Sequence, residues 1–482
     1  MKQIVFLCLF PILVFGQTQI GDDINGESNN NFSGTSVSSS SDGTIIAIGA
    51  PNNNNDNGTY SGHTRVYRNI DNIWTQIGED IDGVDGSRFG TSVSLSADGS
   101  ILAIGGPNSN NSSSSNTGYV RVYRNINNSW TQIGKNIVFP NTNAIFSESF
   151  GSNVKISENG YIIVISDRDR GSVSVFENLG DIWTQIGENI IGEIPVIPIE
   201  NGLSISDDGN IIAIGTPYVD SGYVSVFENI GDVWTQIGEN INGETSGDKS
   251  GTSISLSADG SILAIGAPEN DDLNNFRIGH VRIYRNVGGN WIQVGEDIDG
   301  ESPEDRFGSS VSLSSNGNII AIGAPFSFGN GTSGDVQIYQ NINEVWVKMG
   351  NDINGDSFAN RFGASLSISS NGSIVAIGAP GNGDNGVVSG HVKIFDLSEI
   401  LNTNNTKLEN NIITYPNPAS KMVQIKLNER TVLENILFYD MSGKEVLKSS
   451  STIVDISTLV SGVYSTKIVT NKGVIVKQLI VK

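Results

Sequence analysis

The chain has 482 residues and a formal net charge of −23, enough length for one large domain and a small one. The charge is uneven: residues 412–482 hold nine Lys/Arg against five Asp/Glu, and the remainder holds 19 against 46. Such an acidic field argues against nucleic acid as a partner and suits a soluble surface open to cations or basic partners.

In chain order, Lys2 precedes an apolar run from Ile4 to Phe15, then Gly16-Gln17. This reads as a secretory signal peptide, residues 1–16, cut between Gly16 and Gln17 with Val14 at the third position before the cut. The run is too short for a stable membrane anchor, and no other stretch is apolar for long enough to span. The single cysteine, Cys8, falls within it, without the small residues a lipoprotein site needs just before it, so the mature chain must fold without disulfides.

Residues 17–397 repeat one unit seven times. The Gly closing an Asp-Gly or Asn-Gly pair recurs at Gly43, Gly99, Gly160, Gly209, Gly260, Gly317 and Gly372. A period of this length, filled with short strands and turns, predicts an all-β, seven-bladed β-propeller. Each unit predicts four strands. The first alternates, as in Phe307 to Ser314, and ends in a tight Asn-Gly or Asp-Gly turn. The second, as in Ile319 to Pro325, is apolar on both faces, as a strand buried between neighbours should be. The third alternates again, as in Gly279 to Tyr284. The fourth opens at Trp74, Trp130, Trp183, Trp234, Trp291 or Trp346 and carries a Thr-Gln-Ile-Gly motif.

The seventh unit lacks its own fourth strand, while an extra motif stands at Thr18-Gln-Ile-Gly21. The segment from Gln17 to Ile24 is therefore expected to complete the last blade and close the ring. Blade three departs from the pattern at Ile165-Ser-Asp167 and Asp167-Arg-Asp-Arg170, and blade four at Pro195 to Pro198 before Asn201-Gly202. These are degenerate blades or a surface shaped for a partner.

The pairing of Phe-Gly with Gly-Ala-Pro, as at Phe89-Gly90 and Gly323-Ala-Pro325, resembles the FG-GAP repeat of integrin alpha chains and many bacterial surface proteins. In many members of that family the first turn is a calcium loop with three alternating acids. Here it is Ser257-Ala-Asp-Gly260 and its equivalents, with one or two acids, too few oxygens for a hard cation. No metal or cofactor is expected on this ground.

After an Asn-rich linker, residues 398–411, the tail 412–482 reads as a small β-sandwich. Its motifs are Pro416-Asn417-Pro418, Gly443-Lys444 and Gly462-Val-Tyr464. In that order they resemble the C-terminal sorting domain of type IX secretion cargo in Bacteroidetes. The resemblance implies passage through the periplasm, type IX machinery as partner, removal of this domain, and release or attachment at the cell surface.

Candidate chemistry is sparse. His63, His280 and His391 occupy equivalent repeat positions, which lie far apart on a ring, and read as structural. The tryptophans read as blade-to-blade packing. The motif Asp80-Ile-Asp-Gly83, with relatives at Asn240, Asp297 and Asp352, could donate oxygens to calcium, but with two or three oxygens per site it reads rather as a strand-ending turn through a side chain-to-backbone bond. No catalytic set is recognisable. The long segments 51–61, 107–117, 268–278 and 300–306 belong to one face and offer a binding surface or plain solvated loops. The expected role is non-enzymatic binding: adhesion, or capture of a glycan or protein. A hydrolytic enzyme with an axial site and a structural surface-layer component are the alternatives. An unmatched acidic pair at the channel mouth would favour the enzyme, and equivalent aromatic pockets would favour a lectin.

Overall fold

The computed structural model describes residues 16–107, 118–139, 149–191, 202–271, 276–326, 334–356, 360–401, 413–427, 432–440, 444–470 and 473–482. The signal segment 1–15, the Pro195–Pro198 departure and most of the linker lie outside these residues. So do Gly443 and parts of the long loops. The chain divides into two compact units, Thr18–Leu397 and one built on Ser398–Lys482.

Among the described residues the first unit contains seven antiparallel sheets in chain order. Sheet 1 runs Ser36–Ser39, Ile45–Ala50, His63–Ile70 and Ile73–Gln76, and a short piece, Ile81–Asp82, returns to the third strand. Sheets 2 to 5 repeat this within residues 92–138, 150–191, 203–242 and 253–299, while in sheet 6, residues 310–354, the fourth strand runs on as one piece, Val345–Asn354. Sheet 7 uses Ser365–Ile368, Ile374–Ala379 and His391–Asp396, and its outer edge comes from Thr18–Gln19 and Ile24–Asn25.

The fourth strand of most sheets is split. A glycine in the left-handed region, such as Gly78 at φ 80°, breaks the pairing, and the chain rejoins the third strand four residues on. Gln76 Nε2 donates to Asp80 Oδ1 at 2.7 Å across this break. The same Gln to Asp/Asn bond recurs from Gln19, Gln132, Gln185, Gln236 and Gln293. The motif read as a side chain-to-backbone turn is thus a side chain-to-side chain clasp within a split strand.

The cores lie between sheets. Ile45, Ala47 and Val66 of sheet 1 pack on Val93, Leu102 and Ile104 of sheet 2. On the other face, Ile46 and Ile48 pack on Ala376, Val392 and Ile394 of sheet 7. Second strands are therefore covered on both faces, which explains their unbroken apolar runs.

The Phe-Gly and Gly-Ala-Pro motifs meet at these contacts. A Cβ on Gly49, Gly105, Gly266, Gly323 or Gly378 would lie only 2.0–2.2 Å from the carbonyl oxygen of Gly90, Gly151, Gly308, Gly363 or Gly34 on the next sheet. Glycine is required on the second strand because the neighbouring backbone occupies the side-chain position. Each Trp bridges the same interfaces. Trp74 Nε1 donates to Ile20 O at 2.8 Å, and Trp130, Trp183, Trp234, Trp291 and Trp346 each bond the equivalent carbonyl of the preceding sheet.

Around the common axis the first-strand turns form a closed circuit of backbone hydrogen bonds. Ser41 N donates to Ala97 O, Ala97 N to Glu158 O, Glu158 N to Asp207 O and Asp207 N to Ala258 O. Ala258 N then donates to Ser315 O, Ser315 N to Ser370 O, and Ser370 N back to Ser41 O, all at 2.8–3.0 Å.

The second unit holds a three-stranded and a four-stranded sheet that share one core, including Val423, Ile425, Ile436, Phe438, Ile456 and Ile468.

Candidate functional site

Three arrangements have the geometry of sites. The first is a recess repeated at the rim. Where the split strand of sheet 7 meets sheet 1, a recess of about 340 Å³ is lined by Asp22, Asp23, Tyr67, Ile73 and Trp74. Its equivalent between sheets 5 and 6, about 490 Å³, is lined by Glu296, Asp297, Tyr339, Val345 and Trp346. The indole of each is fixed by its bond to Ile20 or Val294, and beside it Ile73 and Val345 are 66% and 59% exposed. Burial raises the Tyr67 phenol pKa and pushes that of Tyr339 up to about 12, so both remain neutral donors. Each recess thus presents an apolar and aromatic wall opposite carboxylates.

The second lies on the axis. The seven turn residues of the hydrogen-bonded circuit are Ser or Ala except in sheets 3 and 4, where they are Glu158 and Asp207. Their side chains are in hydrogen-bond contact, and Ser41 Oγ donates to Glu158 Oε1 at 3.0 Å. Burial, then the Glu158 charge, raises the Asp207 pKa to about 7, so Asp207 is protonated well above the usual carboxylate range. In sheet 3 a further break occurs at Lys155. The matching serines Ser38, Ser94, Ser204, Ser255, Ser312 and Ser367 each accept a backbone N–H from the next first strand. Lys155 replaces that serine, and burial lowers its pKa.

The acids of the neighbouring turns are held by their own bonds, and Asp208 and Asp259 add to the charge that raises Asp207. Asp42 Oδ1 accepts from Ser40 Oγ, Thr44 N and Thr44 Oγ1. Burial would raise its pKa, but these bonds outweigh burial and hold it below the usual range, as they do at Asp98, Asp208 and Asp259.

The Asp207 shift has a consequence for stability. Its folded pKa of about 7 exceeds the ordinary 3.8, so the folded state binds more protons between those values. Stability therefore falls as pH rises through that window, and the cost is complete above it. After discounting for solvent screening the cost is on the order of 1 kcal/mol. Asp207→Asn is expected to raise Tm by roughly 1–2 °C at pH 8 and not at all at pH 4, as read by calorimetry. An equal gain at both pH values would contradict the proton-linked repulsion.

The third is a set of histidine clusters. The three histidines stand on sheets 1, 5 and 7 and share no site, but each meets acids. His63 Nδ1 is 3.3 Å from Asp80 and 3.8 Å from Glu27, and His280 Nδ1 is 3.8 Å from Asp297 and 4.0 Å from Glu244. His391 Nδ1 is 3.6 Å from Asp23 and 3.9 Å from Asp384, with Asp356 in the same group. One acid comes from the split strand of the same sheet. The other, Glu27, Glu244 or Asp356, follows the motif glycine of the preceding sheet. Sequence reading weighed the histidines and the motif separately and missed this meeting. The available signal was that all three histidine repeats follow a Gly-Glu or Gly-Asp pair.

Gly16 and Gln17 precede the first strand piece, without regular secondary structure. Of the tail motifs, Asn417 Oδ1 accepts from Ile480 N at 2.9 Å, and Gly462 pairs with Val481, so two motifs converge on the last strand. Pro416 and Pro418 flank Asn417 and are exposed. Tyr464 is buried, its hydroxyl donating to Val460 O at 2.8 Å. Lys444 N donates to Asp440 Oδ1 in a separate hairpin.

Residues 413–482 match the family described as secretion system C-terminal sorting domain. Comparison with curated proteins gives no match. Similar solved structures include the Myceliophteria thermophila Cps50 (Swd1) beta-propeller domain, 11% identical, covering 79% of this chain and 99% of that one, TM-score 0.49. A Lactobacillus plantarum protein is 12% identical, with coverage of 90% and 99% and TM-score 0.47. The Pseudomonas aeruginosa periplasmic gluconolactonase PpgL is 18% identical, with coverage of 67% and 87% and TM-score 0.46. At such values these likenesses say nothing about activity. The tail marks a secreted or cell-surface protein handled by type IX machinery. Among the described residues no helix is long and apolar enough to cross a membrane.

Proposed function

We propose that the chain is an exported, seven-bladed propeller of FG-GAP type that captures a glycan outside the cell and does not turn it over. The observation that carries this reading is the equivalent rim recesses of sheets 7/1 and 5/6. Each sets a fixed Trp and a neutral Tyr among carboxylates, Asp22 and Asp23 in one and Glu296 and Asp297 in the other. A sugar ring offers the matching chemistry, an apolar C–H face for the aromatic wall and hydroxyls for the carboxylates. Repetition around a ring converts weak single contacts into avidity for a polymer.

A hydrolytic reading has one observation in its favour, the axial Glu158–Asp207 pair. Paired glycosidase carboxylates stand about 5–9.5 Å apart so that substrate or water fits between them. Two carboxyls in hydrogen-bond contact leave no such gap.

The test is a glycan array with the full chain after signal removal. Trp74→Ala together with Trp346→Ala, with far-UV circular dichroism unchanged, should weaken binding at least about tenfold. Undiminished binding would move the site elsewhere. Turnover of a polysaccharide that Glu158→Gln/Asp207→Asn abolishes would establish the hydrolytic reading instead.

A further inference from the structure

The cluster at sheet 7 differs from its two relatives. His391 is fully buried, and neither ring nitrogen has a hydrogen-bond partner. Its Nδ1 nevertheless faces Asp23 Oδ2 at 3.6 Å and Asp384 Oδ2 at 3.9 Å. These separations are too long for hydrogen bonds. They approach the spacing of two donors that share an ion: ligands about 2.1 Å from a tetrahedral metal lie about 3.4 Å from each other.

The surrounding bonds hold the carboxylates in place. Gln19 Nε2 donates to Asp23 Oδ1 at 2.7 Å, which turns Oδ2 towards the imidazole. Asn382 Nδ2 donates to Asp384 Oδ2 at 2.9 Å, and Asp384 N donates back to Asn382 Oδ1. Such outer contacts are what orient metal ligands elsewhere. The local cation, Lys393, is drawn mainly to Asp356 at 2.5 Å and lies 3.4 Å from Asp23. Three carboxylates against one ammonium leave two negative charges, the complement of a dication.

We infer that Asp23, Asp384 and His391 form a binding site for a divalent transition metal of the zinc class, with solvent as further ligand. One imidazole and two carboxylates suit such an ion better than calcium, which takes six or more oxygens. The site joins three separate pieces of the closing sheet: the N-terminal segment through Asp23, the loop through Asp384 and the last strand through His391. A metal here would staple the seam between the two ends of the ring, because the three donors meet only when the N-terminal segment is docked.

The experiment uses the full chain after signal removal, stripped with EDTA and then titrated with Zn²⁺ in a thermal-shift assay. The expected result is a saturable Tm rise of several degrees, with Ca²⁺ at the same concentration giving much less. Co²⁺ in place of Zn²⁺ should give a visible absorption band at a stoichiometry of one per chain. His391→Asn and, separately, Asp384→Asn should each remove the shift and the band, while His280→Asn keeps both. The inference is overturned if Zn²⁺ leaves Tm unchanged, if His391→Asn and Asp384→Asn both retain the response, or if His280→Asn abolishes it. Co²⁺ spectroscopy reads the site even where one variant is unstable.

Discussion

Deleting residues 17–25 is expected to lower the Tm of the first unit by about 10 °C or more, measured in EDTA so that loss of Asp23 as a ligand plays no part. The segment supplies the outer edge of sheet 7. Ile20 N donates to Ile394 O at 2.8 Å, Thr18 and Gln19 pair with Asp396 and Phe395, and Ile24 and Asn25 pair with Val392 and His391. Ile24 is 5% exposed and Ile20 is partly buried in the core shared by sheets 7 and 1. Burial of the two side chains contributes roughly 2 kcal/mol each. The ladder bonds contribute about 1 kcal/mol each. Deletion also strips Trp74 Nε1 and Arg65 Nη2 of their acceptors, Ile20 O and Asn25 O. The total is a large fraction of the roughly 5–15 kcal/mol that holds a typical domain together. Ile24→Asp should reproduce part of the loss by placing a charge in that core. A deletion that moves Tm by less than about 2 °C would mean that closure does not depend on this segment.

The strand plan was legible because every repeat states it again. Alternation marks first and third strands, unbroken apolar runs mark second strands, and the Trp marks the fourth. The reason for the glycine in Gly-Ala-Pro was not legible, since it lies in a backbone oxygen on the next sheet, at least 40 residues away in sequence. The split in the fourth strand was hidden too. Gly78 and its equivalents look like strand ends until the rejoining piece is seen to pair with the same neighbour. The sites were harder still. Glu158 and Asp207 drew no notice in the sequence, and become a pair only when the turns of sheets 3 and 4 are placed side by side on the axis. The same holds for Asp23, Asp384 and His391. Equivalent positions of a repeat meet only near the axis, as Glu158 and Asp207 do, so a site farther out must combine non-equivalent positions, and periodicity is silent about those.

Removing residues 412–482 is expected to leave the first unit folded and to strand it in the periplasm. The structural part of this expectation rests on separate cores. The tail's core draws on residues from Ala419 to Val481, and no strand of the seven sheets extends past Asp396. Ending the chain at residue 411 also keeps Leu397 and Ile400, both buried. The Tm of the unit should therefore stay within about 2 °C of the parent, since no named source of a large loss is touched. The cellular part rests on the sorting-domain match over residues 413–482. Fractionation should find the parent outside the cell, beginning at Gln17 and trimmed within or just after residues 402–411, and the truncated chain in the periplasm. The two halves fail separately. An unfolded truncated chain would refute the domain boundary, and a folded one delivered normally to the surface would refute the sorting role of the tail.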